Sequence, residues 1–165
     1  MERVALSLQK WAVQRRAHHD DFDLYGRSAF NRYYYATFLT VRSLIIEFEP
    51  QWTGAHSSVP DFLAGSINRE IKRYRSSALR RQQSDAVEIC NRTVTALSAL
   101  ADLMKTANTV RVTADYNPSI KIQDDRQNRF TLGTTSITEA HRWASQAQVF
   151  SHVIRRGWRL ARGIA

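Results

Sequence analysis

The segment Arg27–Phe38 constrains the fold more than any other part of the chain, because it is crowded with aromatic residues. It reads Arg-Ser-Ala-Phe-Asn-Arg-Tyr-Tyr-Tyr-Ala-Thr-Phe and places three consecutive tyrosines directly after an arginine. From Ala29 to Phe48, apolar residues recur every third or fourth position, which is the period of one wide helix face. A helix with so many aromatic rings must bury them, and buried tyrosine hydroxyls need hydrogen-bond partners. The pattern therefore predicts a central core helix that carries a polar network.

Helical periodicity extends over most of the remaining chain and predicts an all-α fold. We expect an up-and-down bundle of four to five helices in a single domain over residues 1–165. The expected helices are Glu2–Ala17, a central helix that follows a break at Asp23–Gly26 and runs to about Glu49, Ile67–Arg81, Asp85–Asn108 and Ile137–Arg162. Local signals support two helix starts: Ser58–Asp61, with Ser58 as a cap, and a capping box at Ser136–Glu139.

Residues 118–135 interrupt the helical pattern just before the last helix. Ile120–Gln123 and Arg129–Leu132 alternate in polarity, and the polar segment Asp124–Asn128 separates them. Alternation on either side of a polar segment is typical of a β-hairpin. We therefore expect a short hairpin or an extended loop as an insertion in the bundle.

The net charge of +9 and the sequence pI of about 10.3 bear on binding partners. A basic balance favours a polyanion such as RNA or DNA, or an acidic protein. The alternative is a solvated surface that merely uses many arginines. The densest positive patch lies on the predicted helix Ile67–Arg81. This helix is either an ordinary surface helix or a binding surface for nucleic acid or an acidic partner. The members of the patch are Arg69, Lys72, Arg73, Arg75, Arg80 and Arg81.

Several classes of protein receive no support from the sequence. The single cysteine, Cys90, excludes an intrachain disulfide, and its place in an apolar helical pattern indicates a buried structural thiol. The polar cluster at His18–Asp23 is expected to be a loop rather than a metal site. Glycine-rich nucleotide loops, GxSxG and HExxH motifs do not occur, so we expect no cofactor and no metal. Without an apolar run of about 20 residues or a signal-peptide layout, we expect a cytoplasmic protein that contacts no membrane.

Three segments, in order along the chain, resemble the small prokaryotic proteins of the HEPN superfamily. Arg32, Tyr34, Tyr35, Ala36 and Phe38 are similar to the second-helix signature, an arginine followed by Tyr-Tyr-Ala-x-Phe. Gly54–Val59 resembles a Gly-x-His-x-x-Val loop, with His56 at the histidine position. Arg111–Tyr116 resembles an Arg-x-x-Ala-Asp-Tyr element that follows the long helix.

The resemblance implies a HEPN-like bundle that dimerises and acts in toxin–antitoxin or antiviral defence systems, often beside a nucleotidyltransferase partner. In ribonuclease members of the superfamily, an arginine is followed by four to six residues and then by a histidine. The five histidines of this chain have no arginine at that separation; they are His18, His19, His56, His141 and His152. We therefore expect a binding or interaction subunit with a degenerate active site.

Two other functions stay open at this stage. The first is a metal-independent endoribonuclease toxin that uses Arg111, Asp115, Tyr116 and His56, with the arginine on the phosphate and the histidine in acid–base work. In that case Arg32, Tyr34 and Tyr35 would extend the network or bind phosphate. The second is a non-enzymatic nucleic-acid-binding module that uses Ile67–Arg81. The alternative to these two functions is a structural role, in which Arg111 simply pairs with Asp115 in a network that fixes the helices.

Overall fold

The chain folds as an all-α helical bundle with one small antiparallel sheet, as the periodicity predicted. The computed structural model describes residues 1–125 and 129–163, so part of the predicted segment Asp124–Asn128 and the last two residues of the predicted domain lie outside the described chain. Helix accounts for 79% of the described residues. Among the described residues, none of the helices combines the length and the apolar character that crossing a membrane requires.

The helices and strands follow one another with short connections. The helices are α1 (Glu2–Gln14), α2 (His19–Phe48), the single turn α3 (Val59–Phe62), α4 (Asn68–Arg80), α5 (Ser84–Tyr116) and α6 (Ile137–Arg162). A 3₁₀ turn, His56–Ser58, precedes α3, and a π-helical segment, Leu63–Ile67, connects it to α4. The strands are β1 (Ile122–Asp124), β2 (Phe130–Leu132) and β3 (Thr135–Ser136).

The chain divides into two compact units. The first unit contains Met1–Thr40 and Thr106–Gln146, and the second contains Val41–Lys105 and Ala147–Ala165. The long helices α2, α5 and α6 contribute residues to both units. The single domain expected over residues 1–165 stays a prediction.

In the first unit, the small sheet packs on the aromatic part of α2. The predicted hairpin is confirmed: β1 pairs antiparallel with β2, with Ile122 opposite Leu132. Phe130 is fully buried and meets Phe22 and Phe30 edge to face, at ring-centroid distances of 5.6 and 5.9 Å. These contacts bury the apolar side of the sheet. A sheet of so few short strands is stable only when such a face packs against another element, here a helix.

Two predicted boundaries in the first unit are wrong. Helix α2 begins at His19 and runs through the expected loop at His18–Asp23 and the expected break at Asp23–Gly26. A glycine is required at position 26 because an added Cβ would lie 2.9 Å from Ile122 Cγ1. Helix α5 was expected to end near Asn108, yet it continues to Tyr116. Tertiary contacts explain both differences. Strand β1 covers Gly26 where α2 continues, and Arg27 binds carbonyls near the end of the longer α5.

The second unit has an aliphatic core, and Cys90 lies in it. The Cys90 side chain is fully buried, so the prediction of a structural thiol is confirmed. Burial raises the pKa of this thiol, although Arg75 acts in the opposite direction. Other fully buried side chains of this unit are Leu44, Ile45, Leu63, Ile71, Leu97, Leu100 and Ile154.

Of the two predicted helix caps, one is confirmed and one is wrong. The Glu139 N–H donates to Ser136 Oγ at 3.1 Å, and α6 spans the predicted Ile137–Arg162. Ser58 does not cap α3 with its side chain. Its hydroxyl instead donates to the Ala55 carbonyl at 2.7 Å and closes the preceding turn.

Candidate functional site

One polar cluster of the first unit lies at the end of α5. Arg111 and Asp115 are one helical turn apart, and their side chains form an ion pair with Arg111 Nε 2.9 Å from Asp115 Oδ2. Arg111 also lies over the ring of Tyr116, 5.5 Å from its centroid. The side chains of the ion pair are only 20% and 25% exposed. The arginine is therefore bound within its own helix and largely withdrawn from solvent.

Helix α2 completes this cluster, which we call the Arg111 network. The Asn31 amide donates to Asp115 Oδ1, and Tyr35 hydrogen-bonds the guanidinium of Arg111. Burial opposes the charge on Arg111, but Asp115 and Tyr35 outweigh it and raise the pKa of the guanidinium. The network therefore fixes α5 against α2 through charge-assisted hydrogen bonds.

Tyr33 and Tyr34 stay neutral at physiological pH. Both side chains are fully buried, and burial raises the pKa of each to about 12. The Tyr33 hydroxyl donates to Gln9 Oε1 at 2.7 Å. For Tyr34, Arg111 lowers the pKa, but this effect is smaller than that of burial. A phenol held in its neutral form cannot serve as a general base near pH 7.

The raised pKa values predict that the protein loses stability in strong alkali. Because these phenols have a higher pKa in the folded chain than the ordinary 10.0, their contribution is complete below pH 10 and is lost as the pH rises toward 12. Urea denaturation between pH 8 and pH 11 will measure this loss. Tyr34→Phe is expected to flatten the decline, whereas Tyr116→Phe, at a 65% exposed position, should leave it unchanged. Identical declines in both variants would contradict the assignment.

Two other predicted site residues are Arg32 and His56. Arg32 is exposed on α2 and makes none of the hydrogen bonds or ion pairs that hold Arg111. His56 belongs to the 3₁₀ turn of the second unit, whereas Arg111, Asp115 and Tyr116 belong to the first. The partners of Arg111 described above are Asp115, Tyr35 and Tyr116.

The predicted basic patch is present on α4. Five of its six members, all except Arg75, are exposed. Arg75 is half-buried, and its Nε donates to Asn91 Oδ1 on α5 at 2.5 Å. Arg69, Lys72, Arg73 and Arg80 follow a spacing of three, four and eleven residues, which places them along one face of the helix.

The second unit also contains a basic groove that was not predicted from the sequence. It has a volume of about 570 Å³, and its lining residues are Ile89, His152, Arg155, Arg156, Arg159 and Leu160. Glu47 holds Arg155 through two hydrogen bonds of 2.6 and 2.7 Å. Arg156 and Arg159 are exposed and make no ion pair within 4.0 Å in the part of the chain that the structure describes.

The sequence contained a signal for this groove. Positions 152, 155, 156 and 159 have the spacing i, i+3, i+4, i+7 of one helix face. A pattern in which an arginine precedes a histidine does not include these residues, because here the arginines follow His152.

Comparison with known proteins finds no match among protein-family models, curated proteins or solved structures. The resemblance to the HEPN superfamily therefore stays a prediction that depends on three short segments. The described residues also contain no group of three or more histidines, cysteines and carboxylates that could hold a metal ion.

Proposed function

We propose that this protein is a non-catalytic RNA-binding subunit of the HEPN-like kind, acting in the cytoplasm in a toxin–antitoxin or antiviral defence system. The observation that carries the proposal is the pairing of Arg111 with Asp115 at 2.9 Å. In an endoribonuclease this arginine would have to hold the scissile phosphate. Here it forms an ion pair with Asp115 and a hydrogen bond with Tyr35.

The contacts of Arg111 favour a structural role. A phosphate would have to displace Asp115 from a partly buried guanidinium, and the carboxylate would then repel it. Tyr34 is neutral at pH 7. Asp115, the carboxylate of the network, is engaged by Arg111 and Asn31, which disfavours a role in abstracting a 2′-hydroxyl proton.

The distribution of charge favours a polyanionic ligand. The chain carries 24 lysines and arginines against 15 aspartates and glutamates. In the second unit, the exposed cations of α4 and the arginines of α6 are available to neutralise phosphates. RNA is the polyanion that the HEPN resemblance implies, and on the same ground we propose a homodimer with a nucleotidyltransferase-type protein partner.

The proposal predicts binding without cleavage. Labelled single-stranded RNA, titrated with the purified protein in EDTA and followed by fluorescence anisotropy, should bind and remain intact. The logarithm of the affinity should fall with the logarithm of salt concentration, with a slope of about −0.7 for each phosphate contact. Arg111→Ala should lower the free energy of unfolding yet change RNA affinity by less than about twofold, as expected for a residue outside the interface.

Two results would overturn the proposal. RNA cleavage by the wild type that disappears in a folded Arg111→Ala variant would establish a metal-independent endoribonuclease with Arg111 in its site. Failure of the wild type to bind RNA at low salt would remove the RNA-binding function itself.

A further inference from the structure

We propose that the groove of the second unit formed by α5, α6 and the α4–α5 turn binds single-stranded RNA, with phosphates on α6 and a base at the turn. This inference rests on the proposed RNA-binding function and deepens it. It selects one surface from a chain that is basic in several places.

The α6 end of the groove is built for phosphate. Arg155 is held in place by Glu47, whose pKa is lowered chiefly by the hydrogen bond from Arg155. That ion pair leaves the exposed guanidinium groups of Arg156 and Arg159 as donors toward the groove, with His152 on the same helix face. Planar guanidinium groups match phosphate oxygens in geometry as well as in charge.

The groove continues beyond the arginines. Ile89 and Leu160 line the arginine-rich cavity and also a second cavity of about 560 Å³, so the two are contiguous. These two aliphatic side chains form the apolar floor at the junction. A ribose and the edge of a base can lie on such a floor, whereas a phosphate cannot be desolvated there without cost.

At its other end the groove presents groups that suit a base. Tyr74 supplies an aromatic ring, and Gln82 and Gln83 supply amides. Gln82 has a φ of 57°, the left-handed conformation that ends α4 and places the two amides at this turn. Unstacked RNA bases are commonly bound by aromatic stacking and by hydrogen bonds to their edges.

Asp85 distinguishes the two ends of the groove. It is the one carboxylate among the described residues that line the two cavities, and it lies at the Tyr74 end. A carboxylate repels phosphate but accepts hydrogen bonds from an exocyclic amino group such as that of cytosine. The groove therefore has a phosphate-binding end at the arginines of α6 and a base-binding end at the turn. An acidic peptide would use the arginines but would have no use for the ring and amides beyond them.

The test compares two double variants of the full chain that have the same net charge. Arg156→Glu/Arg159→Glu changes the groove, and Arg69→Glu/Arg73→Glu changes the exposed face of α4; each lowers the net charge from +9 to +5, since each Arg→Glu change subtracts two. Affinity for a fluorescein-labelled oligocytidylate should fall more than about twentyfold in the groove variant and less than about threefold in the α4 variant. Circular dichroism confirms that both variants are folded.

A third variant tests the base-binding end. Tyr74→Leu should weaken binding about tenfold without changing the salt dependence, because stacking contributes affinity but no counterion release. The groove double variant should instead reduce the slope.

The outcomes separate the two proposals. Equal losses in the two double variants, with a wild type that binds, would show that the groove assignment is wrong while RNA binding stands. A Tyr74→Leu variant with wild-type affinity would likewise overturn the assignment of a base to the turn. A wild type that does not bind the probe would contradict the proposed function, and the groove assignment with it.

Discussion

Replacing Arg27 with methionine is expected to lower the free energy of unfolding by about 3–5 kcal/mol, the usual cost of removing one partner of a buried ion pair. The Arg27 and Asp23 side chains are only 12% and 15% exposed, and Arg27 Nε lies 2.9 Å from Asp23 Oδ2. The other donors bind four main-chain carbonyls: those of Thr113 at 3.1 Å, Ala114 at 2.9 Å, Asn117 at 3.0 Å, and Ile120.

The size of this effect follows from what the guanidinium satisfies. The last carbonyls of a helix have no partner within the helix, and Arg27 supplies donors to those near the end of α5 and in the loop that follows. Methionine keeps the apolar bulk but has no donor, so these carbonyls and Asp23 would be left without this partner. Chemical denaturation followed by circular dichroism measures the loss. Arg32→Met, at an exposed position on the same helix, should change stability by less than about 0.5 kcal/mol. Equal losses in both variants would contradict the role of Arg27.

The pH dependence of stability gives an independent check on the same cluster. Burial of Asp23 opposes its ionisation, but the Ile122 N–H, at 2.9 Å from Oδ1, and Arg27 together outweigh burial and lower the pKa of Asp23 below the ordinary 3.8. A lowered pKa means that this carboxylate stabilises the fold above pH 3.8 and loses its effect as the pH falls below that value. The wild type should therefore lose stability in acid more steeply than Arg27→Met does.

Gly157→Ala should destabilise the protein by about 3 kcal/mol, against the usual sign of such a change. In an exposed helix, alanine is more stable than glycine by about 1 kcal/mol. In α6, however, a Cβ at position 157 would lie 2.7 Å from both Cβ and Cγ2 of Thr93 and closer still to its hydroxyl. Thr93 is fully buried on α5, and its hydroxyl donates to the Ile89 carbonyl at 2.8 Å, so it has no room to move away. The two helix backbones can approach at this point only because residue 157 has no side chain.

A matched glycine in the same unit serves as the control. An added Cβ at Gly65 meets no atom within 4 Å, so Gly65→Ala should be neutral or mildly stabilising. In a Thr93→Ala background, Gly157→Ala should cost less, because the hydroxyl and the methyl group that it meets are gone, although the Cβ of residue 93 stays 2.7 Å away. Thermal or urea denaturation of the wild type, the two single variants and the double variant completes the cycle. A cost that is the same in both backgrounds would mean that the hydroxyl and the methyl group of Thr93 are not the obstacle.

Local chemistry along the chain accounts for the elements that were predicted well. Ser136 and Glu139 predict the start of α6. A serine hydroxyl oxygen can accept a hydrogen bond from the N–H three residues later, and this bond does not depend on the rest of the fold. The alternation within Ile120–Gln123 and Arg129–Leu132 likewise predicts the β1–β2 hairpin, since one face of the strands must be buried. The all-α class follows from the same short-range periodicities.

Elements that depend on distant residues were missed. Nothing near Asp23–Gly26 shows that Ile122 covers the glycine, so a local break was expected where α2 continues. Nothing near Asn108 shows that Arg27, more than eighty residues earlier, binds the carbonyls at the end of a longer α5. Long-range partners of this kind override local propensity because they satisfy backbone groups that the local sequence leaves unpaired.

The candidate sites also have features that the local sequence determines and features that depend on distant residues. The sequence by itself determined which residues can share a helix face, and so it offered both the Arg111–Asp115 pair and the cationic stripe of α4. Only the tertiary structure decided that Arg111 is bound by Asp115 and Tyr35, and that the arginines of α6 border a groove with Ile89, Leu160 and Tyr74. The physical reason is that helix periodicity fixes the direction of a side chain, whereas burial and neighbouring charges fix what it can bind.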